Sequence, residues 1–440
     1  MKAIRILAVA AIVVSLSLSQ SARASQVGLS VEMSNPLLKA QKKQTTFLKV
    51  GLTGFKMKSA KSRAPVNITL VLDKSGSMQG AKIDEARKGA IEAINRLGAN
   101  DIVSVVTYDS TVEVLVPATK LTDKASVCRK IAQIQAGGRT ALFAGVSKGA
   151  AELRKFRDKD RVNRIVLLSD GKANIGASSP SELGALGASL KKEGITVSTM
   201  GLGLDYNEDL MLQLASRSGG NHIFVEDAEH LAGIFKDEFN TVLSVVAQKV
   251  TVKIDVKKNV RPVRVLGREA EINGQQVITE ISQLYSGQDQ YVVLEVEVPA
   301  TPAGVATQVA SVQVTYDNML TKATEKLTGT ASVNFSNDDK AIASQMNRRV
   351  LEASVLLLAN EQNKMATVLG DKGDLAGAQR CLDANTLFLK RYAAELNSDE
   401  LRFYYTQNAR HAELLKNGQY NQGRKLMRSD QFKADTQRGY

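Results

Sequence analysis

Two hydrophobic rhythms divide this chain. Between residues 66 and 245, short continuous apolar runs alternate with amphipathic stretches. The runs at 66–73, 101–108, 164–170, 195–201 and 221–225 predict strands, and 111–116 a short neighbouring one. The stretches at 82–97, 123–135, 141–155, 181–193, 207–217 and 228–245 predict helices. Strands that are apolar without alternation are buried on both faces, so this part is α/β, a doubly wound and mainly parallel sheet between two helical layers.

From residue 249 the period becomes two. Residues 250–256, 291–298, 309–316 and 327–335 alternate apolar and polar, and Asn273-Gly274 and Asp317-Asn318 are turn signals. That pattern predicts an antiparallel β-sandwich. Residues 27–31 and 47–52 alternate in the same way. Two strands cannot bury a core alone. The last helix of a doubly wound domain returns to the edge where its first strand begins, so 25–64 and 248–336 would share one sandwich, with 65–247 inserted into it; the alternative is a string of independent domains. Residues 337–440 return to helical spacing, with Asp371-Lys372-Gly373-Asp374 as a turn and a third helix over 400–417. Past Gln419 the chain is polar and is expected to fray.

Composition narrows the functional classes. The chain has 440 residues, 43% hydrophobic and 23% charged, enough for a large core. Its net charge is +13, but bases and acids are interspersed and no block reads as a nucleic-acid arm. Three histidines and two cysteines cannot make a Cys/His zinc site of ordinary spacing. Cys128 and Cys381 could form one long bridge, but each lies among apolar neighbours in a predicted helix and reads better as a separate buried thiol.

Residues 1–24 read as a secretory signal. Lys2 and Arg5 are followed by an apolar stretch and by Ala22-Arg23-Ala24, which places the mature start at Ser25. Beyond it no apolar run reaches the ~18 residues a membrane span requires. The expectation is an exported protein, periplasmic or at the cell surface, with no transmembrane segment after cleavage.

The candidate chemistry sits at two strand ends and one loop. Asp73-Lys74-Ser75-Gly76-Ser77 ends the first α/β strand, Ser169-Asp170-Gly171 ends the central one, and Gly137-Gly138-Arg139-Thr140 precedes a helix. Ligands of open α/β sheets bind at the carboxyl ends of strands. Asp73, Asp170, Ser75, Ser77 and Thr140 together offer two carboxylates and three hydroxyls. That all-oxygen set suits a hard divalent cation, Mg²⁺ first, with Mn²⁺ or Ca²⁺ as alternatives. Such a site leaves positions for water, one of which a partner's carboxylate could replace. The same residues could instead cap helices and close turns. No G-x-S-x-G elbow or phosphate loop is present. Gly201-Leu202-Gly203 lacks the third glycine of a dinucleotide site, His411 reads as surface decoration, and Arg348-Arg349 as a solvated helix face.

D-x-S-x-S, a threonine after glycines and S-D-G, in that order, resemble the metal-ion-dependent adhesion site of von Willebrand factor type A domains. The resemblance covers residues 65–247 and extends to Met200-Gly201-Leu202-Gly203 and to the stretch from Gly219 to Val225. It implies a Rossmann-like fold in which Ser75, Ser77 and Thr140 meet the metal directly or nearly so, and Asp73 and Asp170 directly or through water. Lys74, at a variable position, would soften the site's charge. The domain order is similar to that of bacterial exported proteins with an inserted type A domain and, more distantly, to inter-alpha-trypsin inhibitor heavy chains. The implied function is non-enzymatic: metal-dependent adhesion or binding of a protein ligand that supplies an Asp or Glu carboxylate. A hydrolase using the cation to activate water, or an envelope protein with a vestigial site, are the alternatives.

Overall fold

The computed structural model describes residues 26–57 and 63–437. The expected signal segment and the cleavage point at Ser25 lie outside those residues.

The chain enters through a β module. Strands β1 (Gly28–Met33), β2 (Leu37–Lys39) and β3 (Gln44–Thr53) are followed by the first strand of the α/β part, β4 (Val66–Asp73). In β3, Leu48, Val50 and Leu52 face inward while their neighbours are partly exposed, the alternation of a half-buried strand. The α/β part continues as α1 (Ala81–Arg96), β5 (Ile102–Tyr108), β6 (Val112–Lys120), α2 (Lys124–Ala132), α3 (Leu142–Arg154), β7 (Val162–Ser169), α4 (Pro180–Lys192), β8 (Ile195–Leu202), α5 (Glu208–Ser218), β9 (His222–Val225) and α6 (Leu231–Val242). Its six strands lie in the order β6-β5-β4-β7-β8-β9, parallel except for the edge strand β6. Every residue of β4, β5, β7 and β8 is buried, as a sheet covered on both faces requires.

The chain then returns to the β module as β10 (Val245–Val256), β11 (Arg261–Leu266), β12 (Glu271–Asn273), β13 (Gln276–Tyr285), β14 (Asp289–Val298), β15 (Ala306–Asn318) and β16 (Thr324–Ser336). These strands and the first three form two sheets, β1-β3-β14-β11 and β12-β13-β10-β15-β16-β2. Strand β3 pairs antiparallel with β14 from Thr53↔Asp289 to Gln44↔Val298, and β2 pairs parallel with β16. The α/β domain is therefore an insertion between strands of one sandwich, whose core includes Leu48, Val50, Val252, Ile254, Leu294 and Val314.

Several elements depart from the sequence reading. The helix expected over 228–245 ends at Val242; Leu243-Ser244 make the turn, and the valines that follow open β10. Strand β6 runs on to Lys120. Strand β13 was not foreseen; buried polar residues Thr279 and Gln283 obscure its alternation.

The C-terminal part is α7 (Asp339–Ser344), α8 (Arg348–Asp371), α9 (Leu375–Leu396), α10 (Asp399–Lys416) and α11 (Tyr420–Thr436). The segment expected to fray after Gln419 is thus a helix. Its hold on the rest of the molecule is largely ionic, which hydrophobic periodicity does not register. Arg424 Nη2 donates to Asp209 at 2.6 Å, Arg424 Nε to Asp371 at 2.6 Å, and Lys425 Nζ to the Tyr206 carbonyl at 2.7 Å. Met427 is buried among Ala366, Leu382 and Ala412, and Phe432 packs edge-on to His222. His411, expected at the surface, is 2% exposed beside Asn363 and Asp430, in a helical core rich in asparagine. Cys128 and Cys381 are free, on α2 and α9, and both are partly exposed rather than buried. Among the described residues no helix is long and apolar enough to cross a membrane.

Candidate metal site at the carboxyl edge of the sheet

Strands β4 and β7 are neighbours and parallel, so Asp73 and Asp170 emerge side by side where the strands end. Both carboxylates are 0% exposed. The loop before α3 closes over them: Gly137 N donates to the Lys74 carbonyl at 2.7 Å and Gly76 N to the Gly138 carbonyl at 2.9 Å. Gly138 has φ +81°, a left-handed conformation that a side chain would strain, and a Cβ there would also stand 3.0 Å from Ser110 Oγ. The conformation aims the next residues at the strand ends, where the Asn174 side chain accepts from Thr140 N at 2.9 Å.

All five residues singled out from the sequence meet here. Asp73 Oδ1 accepts from Ser75 N at 2.8 Å, and Oδ2 accepts from Ser169 Oγ at 2.7 Å. Ser77 Oγ donates to Asp170 Oδ1 at 2.7 Å and lies 3.1 Å from Ser75 Oγ. A Cβ built on Gly171 would be 3.1 Å from Thr140 Oγ1 and 3.5 Å from Ser77 Oγ, so the two hydroxyls flank that glycine. Ser77 is exposed, while Ser75 and Thr140 are nearly buried, and the cluster opens to solvent on the Ser77 side. Burial pushes the Asp73 carboxyl up to about 6, against its hydrogen bonds, and the nearby Asp170 adds to the rise.

Lys74 does not soften this charge. Its ammonium turns to the neighbouring strand, 3.5 Å from both Asp109 and Glu113. The cation that does reach the cluster is Lys82, in the first turn of α1, with Nζ 2.5 Å from Asp170 Oδ2. Sequence reasoning missed Lys82, Ser169 as a support for Asp73, and Asn174 as a support for Thr140. The only available signal was their closeness in sequence to the motif.

The residues fit a divalent cation by their chemistry. Two buried carboxylates and three hydroxyls converge at one opening, with a single ammonium against them, which leaves the group net negative and all-oxygen. Among the described residues no three His, Cys, Asp or Glu side chains gather to hold a metal ion, so the hydroxyls are essential to this candidate.

The sequence of residues 67–237 matches the family model of the von Willebrand factor type A domain. This part of the chain is a von Willebrand factor type A domain. A solved structure described as von Willebrand factor type A from Catenulispora acidiphila superposes with a TM-score of 0.69 over 86% of this chain and 89% of that one. At 16% identity the likeness is one of fold, and it reaches well beyond the type A domain itself. Protein sll0103 of Synechocystis is 25% identical over 331 residues, 73% of this chain and 77% of that one. Human inter-alpha-trypsin inhibitor heavy chain H2 is 27% identical over 165 residues, 36% of this chain but 17% of the heavy chain's length. The resemblance to type A domain proteins, including those heavy chains, therefore holds.

Proposed function

We propose that this is an exported, divalent-metal-dependent protein-binding or adhesion protein, acting in the periplasm or at the cell surface through its type A domain. The observation that carries the reading is the convergence of Asp73, Ser75, Ser77, Thr140 and Asp170 at the carboxyl edge of the sheet. That edge is the end of the domain away from the sandwich: Arg164, near the start of β7, contacts Gln283 and Tyr285 of β13, whereas Asp170 follows the far end of β7. A partner can approach the site without meeting the rest of the chain's β module.

Ser75, Ser77 and Thr140 would hold the cation through their hydroxyls, and Asp73 and Asp170 would supply its counter-charge. Mg²⁺ suits the set best, with Mn²⁺ and Ca²⁺ as alternatives. When bound, the cation supplies an electrophilic centre on which a partner's Asp or Glu carboxylate can replace water. A hydrolase would need a base at the opening; of the supports around the donor set, Ser169 and Asn174 are neutral and Lys82 is committed to an ion pair. His222 lies elsewhere, enclosed by Thr199, Tyr206 and Phe432.

The test is calorimetric titration of Mg²⁺ and Mn²⁺ into the protein from Ser25 onward and into Thr140→Ala. Capture of a carboxylate-bearing partner with and without chelator follows. The reading expects binding by the parent, loss of at least ~10-fold in metal affinity on removal of the hydroxyl, the scale of one good polar ligand contact, and capture abolished by chelator. Equal metal affinity and equal capture in both proteins would refute it.

A further inference from the structure

Lys82 is the feature of the site that the adhesion-site pattern does not include. Its side chain comes from the first turn of α1, is about one-third exposed, and reaches across to a carboxylate that has no exposure at all. Its Nζ is 2.5 Å from Asp170 Oδ2, while Ser77 Oγ occupies Asp170 Oδ1 at 2.7 Å. On its other side stands the β8–α5 loop, where a Cβ built at Gly203 would be 4.0 Å from the ammonium. The position is thus hemmed between two strand-end loops rather than open to a freely moving surface lysine.

We propose that Lys82 is a resident competitor for the divalent cation: it holds Asp170 by an ion pair that the metal must share or displace, and so weakens metal binding at this site. The proposal rests on the metal-site reading above and adds a residue that sets the affinity. Two physical effects point the same way. An ammonium on Asp170 removes part of the negative charge that attracts a cation, and at a few ångströms its own charge repels that cation. Asp170 has two oxygens, and each is already engaged. A carboxylate so shared gives up one charge-assisted hydrogen bond when the cation takes the oxygen.

A purely structural role for Lys82 predicts the opposite sign. If the lysine only braced α1 against the end of β7, its removal would loosen the donor set and weaken metal binding. If it competes, removal strengthens binding. Lys82→Met keeps the length and apolar stem of the side chain and removes the charge. Lys82→Gln does the same with a polar tip, should the first variant fold poorly. Lys82→Arg keeps the charge.

The experiment is Mn²⁺ titration by calorimetry into the parent protein and these three variants, with thermal midpoints measured alongside. The expected result is affinity raised ~10-fold or more in Lys82→Met and Lys82→Gln, the scale of one hydrogen bond to a charged group, with Lys82→Arg within ~3-fold of the parent. Equal or weaker binding in both neutral variants, with a parent that binds Mn²⁺, would overturn the competitor role and leave the metal site standing. Absence of binding in the parent and in the variants would overturn the metal-site reading and this inference with it.

Discussion

Strand β7 carries a buried charge near each end, and the two are treated in opposite ways. Near its start, Arg164 is 0% exposed and fully partnered. Its guanidinium donates to Thr196 at 3.0 Å, to Ser198 at 2.8 Å and to Glu238 at 2.7 Å, and also to Gln283 and Tyr285 of the sandwich. Glu238 in turn accepts from Ser198 at 2.5 Å and Asn221 at 2.6 Å. Just past the other end, Asp170 shares its pocket with a second carboxylate, Asp73, and meets one partly exposed lysine. The first cluster balances charge for charge inside the α/β domain and reaches the sandwich through neutral hydrogen-bond partners. The second concentrates like charge at an opening. A buried ion that serves the fold is neutralised by its surroundings, whereas one held for a ligand is left in deficit.

The sharpest way to break this comparison is to remove the balanced charge. Arg164→Met leaves Glu238 buried without its cation and should destabilise the protein by about 3–5 kcal/mol. Adding Glu238→Gln should restore part of that loss, because no orphaned charge remains. Urea denaturation of the two variants reads both numbers. An Arg164→Met protein as stable as its parent would show that the cluster is not a structural lock.

A second buried ionisable group, on the edge strand β9, sharpens the same point through pH. Burial holds His222 down at about 4, below its ordinary 6.5, with Nδ1 2.9 Å from Thr199 Oγ1. As pH falls, the unfolded chain takes up the proton first. The stabilising contribution is therefore complete above 6.5 and lost progressively as pH falls towards 4. The whole loss amounts to about 3 kcal/mol. His222→Gln should flatten the pH dependence of the urea midpoint across that window; an unchanged slope would assign the acid sensitivity to other groups.

The smallest effect on stability is expected at the candidate metal site. Asp73→Asn keeps the side chain's shape and one oxygen to accept from Ser75 N; its amide nitrogen would face Ser169 Oγ, whose hydroxyl must turn to accept, and the change removes one of two neighbouring buried charges. Its stability should lie within about 1 kcal/mol of the parent, or above it. Metal binding should nevertheless fall sharply. A loss of stability comparable to that of Arg164→Met would make Asp73 a structural residue and erase the contrast.

One side of this contrast, the Asp73–Asp170 cluster, was legible in the sequence; the Arg164–Glu238 pair was not. The unbroken apolar run of β4 and the S-D-G at the end of β7 placed Asp73 and Asp170 at the same edge of the sheet, because parallel strands flanked by helices must end on one side; that the two strands are neighbours is a finding of the structure. The alternation of residues 47–52 likewise marked a strand that needed partners, and β14 supplies them. What stayed hidden depends on distance in three dimensions. Nothing in the spacing of Lys82 says that its ammonium, rather than that of Lys74, reaches the carboxylates. Helix α11 is polar by composition, and its docking depends on Glu208, Asp209 and Asp371, which lie in two other parts of the chain. His411 on α10 was misread for a related reason: the asparagines that enclose it contribute no hydrophobic period.

The account stands or falls on whether a divalent cation occupies the opening among Asp73, Ser75, Ser77, Thr140 and Asp170. Crystals of the protein soaked in Mn²⁺, with data collected to locate the metal by its anomalous scattering, address that directly. The account predicts one dominant peak at coordination distance from Ser75, Ser77 and Thr140 hydroxyl oxygens, with Asp170 displaced from or shared with Lys82. A well-ordered site with the Lys82–Asp170 pair intact and no anomalous peak, in crystals soaked in a large excess of Mn²⁺, would contradict it.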